Sequence, residues 1–322
     1  AETEYEVSVS QPLRLSSFGA RSRVASLLEQ VSSVEEKLAL NELIQKLTLL
    51  YGKAWAMQEG HRLAQSAAER SAALHRKVRD AASKGVIPQS VEKLFLAESA
   101  KLKIAVSGLE ADRKRAFAEL LRASGVSLRG WTLERPTLRE IDDRPLDAAE
   151  EIPLVKRLEM RRKIALEQHS LARLDSFPRF APRIALEHTE EGDDRIIAGF
   201  SVALPFWDRN QSERIERSAA LVQSRAEASY YAGGVFQEEL SLLHDSYRAS
   251  LIRAERFSKE VLPVLQSALS TAEDEFEKGQ GSALQVWQVL RELADAQETY
   301  LETWVRALSE KVELAILLGK DI

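Results

Sequence analysis

The sequence predicts a mainly α-helical protein with a small β part, in which very long antiparallel helical hairpins are attached to short strands. Three observations support this fold class. The chain repeats itself at an offset of about 194 residues, two helical stretches are exceptionally long, and three short segments alternate apolar with polar residues. The elements are justified below in chain order.

The composition restricts the classes of function. The chain has 322 residues, a net charge of −5 and no cysteine. Without cysteine there can be no disulfide scaffold, thiol nucleophile or thiolate metal site. The acidic balance argues against a nucleic-acid partner. No run approaches about 18 consecutive apolar residues, so no transmembrane helix is predicted, although transmembrane β-strands leave little trace in hydropathy.

The repeat lies in the order and length of the elements more than in identical side chains. The matching positions are residues 7–13 with 200–206 at an offset of 193, and Lys84, Gly85 and Gly125 with Lys278, Gly279 and Gly319 at an offset of 194. We therefore predict a first repeat over residues 1–130, a linker or equatorial segment over 131–151, and a second repeat over 152–322.

The first long helix is predicted over residues 16–83, which contain no proline. Its apolar positions recur every three to four residues: Leu27, Val31, Val34, Leu38, Leu40, Leu43, Leu47 and Leu50. At about 1.5 Å per residue, such a helix would be roughly 100 Å long. This length predicts a coiled coil whose apolar stripe is covered by neighbouring helices. The second copy is predicted over residues 211–277, broken only by Pro263.

A return helix follows each long helix. Gly85 and Gly279 stand where a left-handed glycine would end the long helix. The loops after these glycines are short, so the second helix of each pair must fold back antiparallel. The sequence therefore predicts two helical hairpins, each with a Lys-Gly tip.

Three segments are predicted as strands, because apolar and polar residues alternate in residues 5–10, 179–187 and 196–206. A polar turn, Glu190 to Asp194, joins the last two into a hairpin over 177–206. The hairpin could be soluble and packed on helices, or it could belong to an outer-membrane barrel. The helix length favours the barrel, because so small a sheet is not stable alone. Several protomers would then close one barrel, with their helices forming a bundle below it.

This order of elements resembles the TolC-like outer-membrane efflux family. The resemblance is carried by residues 9–13, 177–180, 203–211, 276–279 and 317–319. Within it, the stretch Leu-Pro-Phe-Trp-Asp-Arg-Asn-Gln over residues 204–211 is most similar to the branch that exports heavy-metal cations, of the cobalt–zinc–cadmium or copper–silver type.

The resemblance implies a function without an active site or cofactor. It implies a homotrimeric exit duct of a tripartite pump in the Gram-negative outer membrane, with a long periplasmic α-barrel. The implied partners are two further copies, a periplasmic adaptor, an inner-membrane pump and outer-membrane lipid. Compared with the family, this chain lacks first-repeat partners for the helix near 153–175 and the strand at 177–188. Because 152 minus 194 is −42, we expect the chain to begin inside its first repeat.

The resemblance also assigns candidate site residues. The hairpin tips are expected to dock the adaptor: Lys84, Gly85, Val86, Ile87, Lys278, Gly279, Gln280, Gly281 and Ser282. Some relatives carry pore-lining carboxylates six and nine residues beyond the second tip glycine, where this chain has Gln285 and Gln288. A ring of amides would narrow the pore without a strong cation-selective field.

No residues are predicted to hold a metal or to catalyse a reaction. The five histidines, His61, His75, His169, His188 and His244, are isolated from one another in the sequence and lack the spacing of a helical metal site. Two alternatives remain open. One is a soluble periplasmic adaptor or coiled-coil scaffold, which the alternation of two hairpins with strands disfavours. The other is the same duct used for drug efflux or type I protein secretion.

Overall fold

The computed structural model describes residues 5–11, 18–127, 130–139, 152–177, 179–188, 194–203 and 210–319. In chain order the elements are β1 (Tyr5–Ser10), α1 (Phe18–Ser83), α2 (Gln89–Ser124), α3 (Pro153–Leu174), β2 (Arg179–His188), β3 (Asp194–Ala203), α4 (Gln211–Tyr231), α5 (Gly234–Arg256), a π-helical turn (Phe257–Val261), α6 (Leu262–Glu277) and α7 (Ala283–Leu318). The predicted fold class, mainly α with long hairpins and a small sheet, is confirmed.

The second long helical stretch differs from its prediction. It was expected to break only at Pro263, but it also ends at Tyr231 and resumes at Gly234. Gly233 and Gly234 are adjacent, and glycine is the weakest helix former after proline. Further on, the π-helical turn precedes Pro263. A proline ring clashes with the carbonyl four residues earlier, here that of Lys259, and a wider turn accommodates it.

The chain divides into two compact units, of which the first comprises Ala1–Ala39 and Asp147–Gln237. Within it, the three strands form one antiparallel sheet in the order β1-β2-β3, and α3 packs along α4. Exposed ion pairs join the start of α1 to α3 and to the turn after it: Arg21 with Asp175 at 3.2 Å and Arg23 with Glu167 at 3.1 Å. Exposed pairs of this kind contribute little to stability.

The predicted hairpin of residues 177–206 is confirmed where the structure describes it. His188 pairs with Asp194 and Arg179 pairs with Ala203 in antiparallel register. The predicted polar turn between these strands falls mostly on residues 189–193, which lie outside the described residues, as do residues 204–206.

The second unit comprises Leu40–Leu146 and Glu238–Ile322. One of its hydrophobic clusters is centred on Trp304, which is fully buried and meets Trp55 edge to face at 4.5 Å between ring centroids. The cluster draws on α1, α2, α5 and α7: Ala54, Trp55, Ala56, Leu120, Leu133, Ala254, Tyr300, Trp304, Leu308 and Val312. Its largest side chains hold the middle of the hairpins together.

The segment 130–139 packs against this cluster in extended form. The side-chain amide of Gln58 donates to the Leu133 carbonyl and accepts from the Leu133 N–H, both at 3.0 Å. The Tyr247 hydroxyl donates to the Arg139 carbonyl. Residues 131–139 of the predicted linker are thus anchored on the helices, while 140–151 lie outside the described residues.

None of the described helices is both long enough and apolar enough to cross a membrane.

Candidate channel surface and hairpin tips

The sheet register places the apolar side chains of all three strands on one face. Val7 pairs with Leu186, which pairs with Ile196, and Val9 pairs with Ile184, which pairs with Ala198. Side chains alternate between the two faces of a strand, so residues in register share a face. The complete apolar face consists of Val7, Val9, Phe180, Pro182, Ile184, Leu186, Ile196, Ala198, Phe200 and Val202.

This apolar face is open rather than buried. Val9 is 72% exposed and Phe200 is 71% exposed, and Ile184, in the centre of the sheet, is 61% exposed. The opposite face carries the polar residues, including an ion pair in which Arg183 donates to Glu6. A continuous exposed apolar patch of this kind on a soluble protein marks an interaction surface.

The two hairpin tips have the same backbone geometry. Gly85 and Gly279 adopt left-handed φ values of +73° and +74°. In the first tip the Val86 N–H bonds back to the Ala81 carbonyl at 3.0 Å, and in the second the Gln280 N–H bonds back to the Glu275 carbonyl at 2.8 Å. These are the six-to-one bonds of a Schellman C-cap, so the predicted helix-ending role of both glycines is confirmed.

The side chains at the two tips differ. In the first tip Val86 is 75% exposed and α2 begins after Pro88, which supplies no side-chain cap. In the second tip the Ser282 hydroxyl accepts from the Gln285 N–H at 3.2 Å and caps α7. The candidate docking residues Lys84, Gly85, Val86, Lys278, Gly279, Gln280 and Ser282 are exposed, and Ile87 and Gly281 are half-buried.

The four helix ends next to the tips share one hydrophobic cluster. Its buried members are Ala67, Leu74, Val78, Phe95, Leu269, Ala272, Ala283, Val286, Leu290 and Leu293. Two ion pairs at its edge link α1 to α6: Arg70 with Glu273 at 3.3 Å and Lys77 with Glu277 at 2.6 Å. The hydrogen bond from Lys77 holds the pKa of the Glu277 carboxyl below its usual value. Sequence reasoning treated the acidic residues before the second tip as a solvated face and missed these partners, which lie about 200 residues away in the chain.

Gln285 and Gln288, the candidate constriction residues, are both exposed, three residues apart on α7. The buried residues of this turn are Ala283, Val286 and Leu290. The two amides therefore lie on the part of α7 that does not pack within this chain. Their assignment to a pore remains a prediction.

Two of the histidines predicted to be isolated have carboxylate partners. His188 Nδ1 lies 2.7 Å from Asp194 Oδ1, and His75 Nε2 lies 2.9 Å from Glu92 Oε1. Both partners come from the neighbouring strand or the return helix, beyond the reach of the helical spacing on which the prediction relied. Among the described residues, no group of three or more His, Asp and Glu side chains is arranged to hold a metal ion.

Two tipped helical hairpins joined to an amphipathic antiparallel sheet constitute the fold of the TolC-like outer-membrane channels, and solved structures match it over nearly the whole chain. The outer membrane protein VceC of Vibrio cholerae has a TM-score of 0.78 at 14% identity, covering 98% of this chain and 79% of VceC. The CmeC outer membrane channel of Campylobacter jejuni has a TM-score of 0.79 at 12% identity, covering 98% and 71%. The open state of the MtrE outer membrane channel of Neisseria gonorrhoeae has a TM-score of 0.74 at 16% identity, covering 99% and 80%.

Neither a protein-family model nor a curated protein sequence matches the chain. At these identities the solved structures establish the fold alone. The fold therefore agrees with the resemblance seen in the sequence.

Proposed function

We propose that this chain is one protomer of a passive outer-membrane channel, the exit duct of a tripartite efflux pump, and not an enzyme. The observation that carries the proposal is the sheet, whose three strands present one continuous apolar face with its central residue Ile184 61% exposed. A soluble adaptor or scaffold, the alternative class, would gain nothing from such a face. In the bilayer, the same face would lie against lipid.

Lipid also supplies a reason for partners. A three-stranded sheet leaves the outer edges of β1 and β3 without a neighbouring strand in this chain. Inside a bilayer an unpaired strand edge costs several kcal/mol for each unsatisfied polar group, by general estimates of about that order. We propose that other copies of the chain cover these edges, in a homotrimer whose sheets close one barrel.

The membrane role predicts different effects for the two faces of the sheet. Ile184→Lys should cost about 2–4 kcal/mol of insertion if the side chain lies near the bilayer midplane. Ser8→Lys, on the polar face of β1, should insert like the unchanged chain. Insertion is measured as the fraction of full-length protein that resists carbonate extraction from outer membranes. Equal extraction of the two variants would contradict the membrane assignment.

We further propose that the two tips dock a periplasmic adaptor. Supporting observations are the matched left-handed turns at Gly85 and Gly279 and the exposure of Val86 between two polar stretches. Gln285 and Gln288, just beyond the second tip, would then face the pore at its periplasmic end. The same turns could simply be helix caps with no partner, so a variant must separate docking from folding.

Gly279→Pro should impair pump assembly more than folding. Proline cannot adopt the φ of +74° found at Gly279, since its ring holds φ near about −65°. The substitution also removes the N–H that donates to the Phe276 carbonyl at 3.1 Å. The helical circular dichroism signal should persist while cross-linking to the adaptor and resistance to the exported compound fall, and Gly85→Pro should behave alike. Gly108→Ala, where an added Cβ meets nothing within 4 Å, is the control.

Heavy-metal cations are the proposed cargo, on the strength of residues 204–211 in the sequence. The solved channels do not distinguish this cargo from drugs or a secreted protein. Survival of a strain complemented with this chain on graded cobalt, zinc, cadmium, copper and silver, compared with a drug panel, separates the alternatives. Resistance to drugs alone would overturn the metal assignment and leave the channel assignment standing.

A further inference from the structure

The two hairpins differ in the polarity of their helix–helix contact just above the tips. The offset of 194 residues between Gly85 and Gly279 relates each residue of the first hairpin to one in the second. Four polar residues of the first correspond to four apolar residues of the second: Ser71 to Leu265, His75 to Leu269, Glu92 to Val286, and Ser99 to Leu293. The first hairpin thus carries polar groups where its structural duplicate carries hydrophobic core.

The polar groups of the first hairpin are withdrawn from water. Ser71 is 1% exposed and Ser99 is 4% exposed. The side chains of His75 and Glu92 are 14% and 20% exposed, and His75 Nε2 lies 2.9 Å from Glu92 Oε1. Their second-hairpin counterparts, Leu269 and Val286, are buried apolar residues of the shared cluster.

The His75–Glu92 hydrogen bond joins α1 to α2 across the hairpin, and its strength depends on protonation. With neutral histidine, a single N–H reaches a carboxylate that has lost most of its water. With protonated histidine, the same contact becomes a charge-assisted bond between opposite charges, roughly twice as strong as a neutral bond. Histidine changes its charge between about pH 5 and 8. The Leu269–Val286 contact has no such dependence.

Other charges near the pair do not substitute for either partner. On α1, Arg79 lies one turn beyond His75 and is exposed, and on α2, Lys93 follows Glu92 and is exposed. On α6, Glu273 and Glu277 are engaged by Arg70 and Lys77. The first two turns of α7, residues 283–290, contain no charged side chain.

We propose that the His75–Glu92 pair makes the first hairpin a pH-sensitive clasp, closed most firmly below neutral pH and loosened as the histidine loses its proton, while the second hairpin stays insensitive to pH. The consequence for adaptor docking rests on the proposed function. The clasp itself does not, because it follows from the contacts within this chain.

Hydrogen–deuterium exchange of the full-length protein in detergent tests the clasp. Equivalent amides report on the two tips, Val86 in the first and Gln280 in the second, so their ratio cancels the intrinsic pH dependence of exchange. We expect the protection of Val86 relative to Gln280 to fall about five-fold between pH 5.5 and 8 as the charge-assisted bond is lost. A ratio that stays constant over this range would overturn the proposal.

Two variants separate titration from packing. His75→Leu with Glu92→Val copies the second hairpin, and buried ion pairs can often be replaced by hydrophobic residues without loss of stability. It should protect Val86 equally at both pH values. His75→Gln keeps a donor that does not titrate, and it too should abolish the pH dependence. If either variant retains the wild-type pH dependence, the pair is not its source.

A parallel cross-linking series with the adaptor at pH 5.5 and 8 distinguishes this inference from the proposed function. Exchange that responds to pH together with no cross-linking at any pH would support the clasp and overturn the docking assignment. Cross-linking with pH-independent exchange would do the reverse.

Discussion

Replacing Gly52 with alanine should destabilise the protein by about 1–3 kcal/mol, the cost of overpacking a filled core. Gly52 lies on α1 where it meets α7, and an added Cβ would stand 2.0 Å from Leu308 Cδ2 and 3.2 Å from Trp304 Cη2. Leu308 is 1% exposed and Trp304 is fully buried, so neither side chain has solvent to move into. The midpoint of denaturant unfolding measures the loss.

Gly60 is the matched control because it lies on the same helix with room for a methyl group. An added Cβ there would be 3.5 Å from Leu301 Cδ1, an ordinary contact. Gly60→Ala should therefore be neutral or stabilising by up to about 1 kcal/mol, since alanine is the better helix former. Combining Gly52→Ala with Leu308→Ala should recover part of the loss. A Gly52→Ala midpoint no lower than that of Gly60→Ala would show that α1 and α7 do not approach this closely.

Removing the indole of Trp304 should cost about 3–5 kcal/mol, the range for deleting a large buried aromatic side chain. Trp304 is fully buried and its ring meets that of Trp55 at 4.5 Å. Trp304→Ala would leave a cavity between α1 and α7 that helix packing cannot readily close. Thermal unfolding followed by circular dichroism, at matched protein and detergent concentrations, measures the effect.

Trp131→Ala provides the comparison, because this indole is 61% exposed. Its loss should change stability by about 0.5 kcal/mol or less, as for most surface substitutions. Trp304→Phe should fall between the two, since it keeps an aromatic ring in the cluster. Similar unfolding temperatures for Trp304→Ala and Trp131→Ala would contradict the central place of Trp304 in this core.

The hairpins and strands could be predicted because each depends on residues close together in the chain. Helix periodicity and the absence of proline predict α1, and glycine after a long helix predicts the left-handed turns at Gly85 and Gly279. Alternating polarity predicts which strand residues share a face. The break at residues 232–233 was missed because an apolar period continues across it, although the adjacent glycines were a local signal for it.

The contacts that join distant parts of the chain could not be predicted in the same way. Nothing local to Gln58 indicates that its amide binds the backbone of Leu133, 75 residues away. The same is true of Arg70 and Glu273, which are 203 residues apart. The His75–Glu92 pair was accessible in principle, because aligning the two repeats sets both residues against buried apolar ones.

The sequence by itself determined the lengths of the helices, the position of both tips and the two-faced character of the strands, since these follow from local backbone preference and from the period of apolar residues. Only the tertiary structure decided that β1 joins β2 from the far end of the first unit's chain segment, that a segment after α2 is anchored along the helices, and that the first hairpin holds a titratable pair where the second holds leucine and valine. Those outcomes depend on which surfaces meet in space, and many pairings are compatible with the same local patterns.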